Sequence, residues 1–144
     1  MKNIIFSILL ITLILFASCA TSKVTDDSFK KVYDKHSGLI LTGASKYTVK
    51  SGDTLANIAR NVYTGTQNAG FYYPVIMLAS KNVVLDPDKI QPGMELTVPD
   101  LQVNLNNPES KKSVKGVILD LSGIERSRKR TDTADGMRNL ANSL

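Results

Sequence analysis

An α+β fold of strand, helix, helix, strand order is predicted for residues 46–99. Three observations carry it. Apolar and polar residues alternate at both ends of the segment, two apolar stripes at helical spacing lie between those ends, and Gly- and Pro-bearing turns separate the pieces.

The opening strand is read from Tyr47 and Val49, which alternate with Lys46, Thr48 and Lys50. Ser51-Gly52-Asp53-Thr54 breaks it, with a glycine free to take positive φ and two side chains able to accept from the free N–H groups of a helix start. Asp53 or Thr54 is the expected N-cap. Leu55, Ile58, Ala59 and Val62 then fall at i, i+3, i+4 and i+7, a helix of two to three turns ending before Gly65. TGTQNAG (64–70) is turn chemistry, and Tyr72, Val75, Ile76 and Ala79 repeat the helical spacing with Pro74 in the first turn. Phe71 and Leu78 lie off that stripe, so the second helix should be the more buried one. Asp86-Pro87-Asp88 and Pro92-Gly93 mark two further turns, the latter with the residues a type II turn prefers. Met94, Leu96 and Val98 close the module as a strand. Some fifty residues is near the lower size at which a domain folds without disulfides or metal.

The two ends of this segment, YTVKSGDTLANIA (47–59) and IQPGMELTVP (90–99), resemble at this spacing the LysM domain, a family of short modules that bind N-acetylglucosamine-containing glycans such as peptidoglycan and chitin. The resemblance implies that the two strands pair antiparallel and that both helices pack on them. It also implies a shallow glycan groove between the loop after the first strand and the loop before the last. By matching position, one side of that groove is Gly52, Asp53, Thr54 and Leu55, and the other is Leu85, Asp86, Pro87, Ile90 and Gln91, with Ile76 and Ala79 supporting the floor. Backbone-lined loops of this kind suit an N-acetyl group, which offers an amide to polar partners and a methyl to an apolar dimple. Ser80 stands where the family usually has Asn before the second loop, and Tyr73 where it often has Trp.

The N-terminus reads as an address. Residues 4–17, IIFSILLITLILFA, follow Lys2 and precede small residues, the layout of a secretory signal peptide too short for a comfortable membrane span. Cys19, the only cysteine, follows Phe16-Ala17-Ser18 and resembles the lipobox of bacterial lipoproteins, which implies that it becomes the lipidated first residue of the mature chain, carrying fatty acyl groups such as palmitate. Several chains would anchor stably where one holds only reversibly. Ala20, where some bacteria use Asp for inner-membrane retention, points to an outer-membrane or cell-surface location in the envelope.

The expected organisation is therefore a signal peptide (1–18), a lipidated cysteine and linker (19–45), the module (46–99) and a C-terminal extension (100–144). Phe29, Val32, Tyr33 and His36 allow a short helix ending at Gly38, but the stretch reads as a tether. Residues 20–45 would reach at most about 90 Å fully extended and average roughly 28 Å as a flexible chain. The extension begins with the loop-like QVNLNNPESKKS (102–113). It continues with Val117, Leu121 and Ile124, and then Ala134, Met137, Leu140, Ala141 and Leu144, at helical spacing: two short amphipathic helices, a hairpin docked on the module or on a protein partner. The basic run Arg126-Ser127-Arg128-Lys129-Arg130 between them is expected to be a solvated helix face, with membrane-surface attraction as the sharper alternative.

Composition excludes several classes. The formal charge of +5 is mild and suggests no nucleic-acid partner. One histidine and one cysteine cannot build the His/Cys cluster of a zinc hydrolase, and no phosphate-cradling glycine motif implies a cofactor. Asp34, His36 and Ser37 are too close along the chain to converge as a hydrolytic triad. Asp53 and Glu95 are better explained as a helix cap and an outward strand residue than as a glycosidase pair. The expectation is a non-catalytic lipoprotein that binds peptidoglycan and ties membrane to wall or localises a partner there. The alternatives are an accessory that recruits or regulates a wall hydrolase through residues 100–144 and, further off, a small hydrolase.

Overall fold

A computed structural model describes residues 26–144. The signal peptide, Cys19 and its lipobox lie outside the described residues.

Helix α1 (Asp26–Lys35) precedes the module, whose elements are β1 (Ser45–Thr48), α2 (Leu55–Val62), a 3-10 turn (Ala69–Tyr72), α3 (Tyr73–Ala79), a second 3-10 turn (Pro87–Lys89) and β2 (Glu95–Val98). Three helices follow: α4 (Leu101–Asn106), α5 (Pro108–Ser127) and α6 (Thr131–Ser143). The two strands pair antiparallel with Tyr47 opposite Leu96 and Thr48 opposite Glu95. Beyond the ladder, Val49 N–H donates to Met94 O at 2.9 Å and Gly93 N–H to Val49 O at 2.9 Å, while Met94 N–H donates to Gln91 O at 3.1 Å and closes the Pro92-Gly93 turn, with Gly93 at φ 92°. Such a left-handed value is open to glycine without a side-chain clash.

Helix α3 is the centre of the molecule. All six residues from Tyr73 to Leu78 are buried, because α2 and β2 pack on one side and α5 on another. A helix enclosed all round needs apolar residues all round, which is why Leu78 falls off the stripe.

The core is not confined to the module. Val114, Val117, Ile118, Leu121, Met137, Leu140 and Ala141 from α5 and α6 belong to one cluster with Val75, Ile76, Met77 and Leu96. The extension is therefore a helical hairpin of 20 and 13 residues fused to the module, longer than two short helices. Within QVNLNNPESKKS the loop reading fails. Asp100 caps α4 by accepting from Val103 N–H at 3.0 Å, and Asn107 caps α5 by accepting from Ser110 N–H at 3.0 Å, with Pro108 in the first turn. Each polar residue that looks like loop composition is satisfying a helix start.

The linker expectation for 19–45 also fails over 26–45. Phe29 is fully buried, Val32 and Tyr33 nearly so, and Tyr33 Oη donates to Val84 O at 2.8 Å. The segment after α1 is pinned as well: Asn104 accepts from Ile40 N–H at 2.8 Å and donates back to Ile40 O at 3.0 Å, while Ser110 Oγ donates to Gly38 O at 2.7 Å. Three apolar side chains at i, i+3 and i+4 suffice to dock a ten-residue helix once a partner surface exists.

Candidate functional site

The first loop is built by Asp53. Its carboxylate accepts from Tyr47 Oη and from Lys50 N–H, both at 2.8 Å, and Gly52 at φ 85° lets the chain reverse between them. The Lys50 N–H and Tyr47 hydrogen bonds hold this carboxyl below the usual carboxylate range. Asp53 thus braces the turn, and the helix cap falls to Thr54, whose Oγ1 accepts from Asn57 N–H at 3.2 Å. Of the two candidates for the N-cap, only Thr54 takes the part.

The second loop is braced from beneath by Ser80. Its Oγ accepts from Thr97 N–H at 2.9 Å and donates to Thr97 O at 3.3 Å, while its own carbonyl receives Val83 and Val84 N–H, each at 2.9 Å. A hydroxyl, which both donates and accepts, therefore does here what the more usual Asn amide could do. Asp86 starts the 3-10 turn by accepting from Asp88 N–H at 3.0 Å.

Between the loops lies a pocket of about 220 Å³. Thr54, Leu55 and Ala56 form one side and Pro87 and Asp88 the other, with Tyr73 and Glu125 behind and Arg130 and Thr133 closing the far side. Three of the eleven positions expected to hold glycan, Thr54, Leu55 and Pro87, meet in it. The others sit elsewhere. Gly52 is exposed at the turn, Asp53 is half-buried beneath it, and Leu85 is 51% exposed and borders α1 beside Lys30 and Tyr33. Gln91 is exposed beside the last turn, Ile90 packs partly against the core, Ile76 is fully buried within it and Ala79 is half-buried at the end of α3.

Asp86 departs furthest from a solvent-facing groove residue, being 6% exposed. Arg128 Nη2 lies 2.8 Å from its Oδ2 and Arg128 Nη1 is 2.8 Å from Asp88 Oδ2. Burial opposes the charge on Asp86, but the Arg128 hydrogen bonds, the Asp88 N–H and the neighbouring cations outweigh it and keep the carboxyl below the usual range. Arg130 pairs with Asp88 and, at 3.1 Å, with the buried Glu125, whose other oxygen accepts from Tyr73 Oη at 3.1 Å. Burial first, and then the Glu125 carboxylate, push the Tyr73 phenol well above its ordinary value, so it remains a donor.

These contacts revise the reading of the basic run at one position. Arg128 is turned onto the second loop and lies 4.8 Å over the Phe29 ring, whereas Arg126, Ser127, Lys129 and Arg130 are exposed as expected, with Arg126 paired to Asp135 and Arg130 to Asp88. Sequence alone could not have found Glu125, Arg130 and Thr133 at the pocket, because they stand 26 or more positions beyond the module's last residue.

The residues of a supposed triad do not assemble. His36 Nε2 meets Asp120 Oδ2 at 2.8 Å, Lys35 Nζ meets the same oxygen at 2.8 Å, and Ser37 is exposed. This is a clamp between α1 and α5. Among the described residues, no group of three or more His, Cys, Asp or Glu could hold a metal ion.

Comparison with known proteins places residues 47–99 in the LysM domain family. A stretch of 59 residues, 41% of this chain, is 46% identical to Potassium binding protein Kbp of Escherichia coli O6:H1 (strain CFT073) and covers 37% of that protein. The match thus spans little more than a third of the curated relative's length. No solved structure gives a significant match.

Proposed function

Residues 47–99 being a LysM domain, we propose that this chain is a non-catalytic envelope lipoprotein that grips the N-acetylglucosamine-containing glycan of peptidoglycan in the pocket between Thr54-Leu55 and Pro87-Asp88. The observation carrying this reading is the composition of that pocket. Leu55, Ala56 and Pro87 offer an apolar surface for an acetyl methyl, and hydroxyls and backbone edges around it offer partners for an amide and for ring hydroxyls.

Anchoring through acylated Cys19 completes the proposal, on an outer membrane or cell surface facing the wall. With α1 beginning at Asp26, the seven residue steps from Cys19 reach at most about 25 Å, so the domain is held close to the lipid and not on a long tether. A weak groove works at such a surface because tethering raises its effective concentration near the polymer. The rival reading, recruitment of a hydrolase by residues 100–144, has less to support it. Val117, Leu121, Met137 and Leu140, the apolar faces such a partner would use, are spent in the shared core.

Purified sacculi should retain the unaltered chain in a sedimentation assay. Ala56→Arg, which sends a long charged side chain into the pocket while leaving the Thr54 cap intact, should be released into the supernatant with its circular dichroism unchanged. Equal retention of a folded Ala56→Arg protein would remove the groove from the proposal. Zymography of the same preparation should show no clearing.

A further inference from the structure

Building on the glycan reading above, we infer that the C-terminal hairpin supplies a third wall of the sugar site, in which the Thr133 hydroxyl hydrogen-bonds an uncharged N-acetylhexosamine unit. Thr133 stands outside the matched domain, which ends at 99.

The first support is placement. Thr133 and Arg130 line the same pocket as Thr54 and Pro87, so whatever fills the space between the two domain loops also meets the start of α6. The second is the state of the polar groups. Glu125 is engaged by Tyr73 and Arg130, and Asp88 by Arg128 and Arg130, while Thr54 Oγ1 already accepts from Asn57. The Thr133 hydroxyl, half-buried, has no hydrogen-bond partner among the described residues. It retains both a proton to give and lone pairs to fill.

Charge sets the class of ligand. Asp88 and Glu125 at the pocket are balanced by Arg130 in it and Arg128 behind Asp88. With the ionic groups satisfied by one another, an ionised ligand gains no free counter-charge, and a neutral sugar bearing an acetamide and hydroxyls fits best. Arg130 joins Asp88 of the loop to Glu125 of α5, so the loop edge facing the sugar is fixed by the hairpin.

Calorimetric titration of the full chain in detergent micelles with N-acetylglucosamine tetramer tests this. The unaltered protein should saturate. Thr133→Val, nearly the same shape without the hydroxyl, should bind about tenfold more weakly, the equivalent of one neutral hydrogen bond. Thr133→Ser, which keeps the hydroxyl, should stay within about twofold, and Thr133→Trp, which fills the pocket, should abolish binding. All three should melt with the unaltered chain, since Thr133 is only half-buried and bonds to nothing in the protein. Binding by Thr133→Val and Thr133→Trp equal to that of the unaltered chain overturns the third wall and leaves the glycan reading standing. Absence of saturable heat from the unaltered chain overturns both.

Discussion

Arg128 Nη2 sits 2.8 Å from Asp86 Oδ2, with 13% and 8% of the two side chains exposed, and so welds the turn after α5 to a LysM loop 42 positions earlier. Removing one partner of a buried ion pair strands the other, and that penalty exceeds the worth of the pair itself. Arg128→Ala should therefore cost about 3 kcal/mol, with lost packing on Phe29 adding to it. Urea unfolding monitored by tyrosine fluorescence would measure it, and a loss below about 1 kcal/mol would mean that the pair is not effectively buried.

Acid should loosen the same joint. Asp86, Asp53 and Asp120 all have carboxyl pKa values below their ordinary 3.8 in the folded chain. For Asp120, burial opposes the charge, but the Lys35 and His36 hydrogen bonds outweigh it. A depressed carboxyl contributes stability that is complete above the unfolded value and is lost as pH falls through the folded one. The urea midpoint should thus hold steady on this account down to about pH 4 and decline below it. Asp120→Asn should be less stable at neutral pH and show a flatter acid limb. A parallel decline in both proteins would count against the assignment.

Two glycines of the hairpin should respond in opposite directions. At Gly136 a Cβ would collide with the Phe71 ring, whereas nothing lies within 4 Å of one at Gly123. Gly123→Ala should stabilise by about 0.5–1 kcal/mol, the helix-propensity gain. Gly136→Ala should destabilise by about 1–2 kcal/mol, as overpacking outweighs that same gain. Thermal melts of the two proteins, compared directly, would show the difference in sign.

Ser80 is the support of the second loop. Ser80→Ala leaves Thr97 N–H without its 2.9 Å acceptor in a nearly buried setting and should cost about 1–2 kcal/mol. Faster amide exchange at Thr97 and at Val84 would locate the damage, and unchanged exchange there would sink the account.

Much of the module was legible because its signals are local. The alternation at Tyr47, Val49, Leu96 and Val98, the Leu55/Ile58/Ala59 stripe and the Thr54 cap each depend on neighbours within a few positions. Asp53 is no cap, and sequence offers it as one because a carboxylate before a helix looks the same whether it accepts from a helix N–H or, as here, from Lys50 and Tyr47. QVNLNNPESKKS looks like a loop for a related reason: Asn107 and Pro108 are turn formers by composition and helix starters by position.

By itself the chain of residues determined the strand, helix, helix, strand order of 46–99 and its family, since backbone preferences, caps and periodicity act over one or two turns. Only the folded molecule decided that Phe29, Val117 and Met137 complete its core, that Arg128 and Arg130 pair with the second loop, and that Thr133 borders the pocket. Those outcomes depend on surfaces brought together across as many as a hundred residues, where burial and ion pairing choose among faces that sequence leaves equivalent.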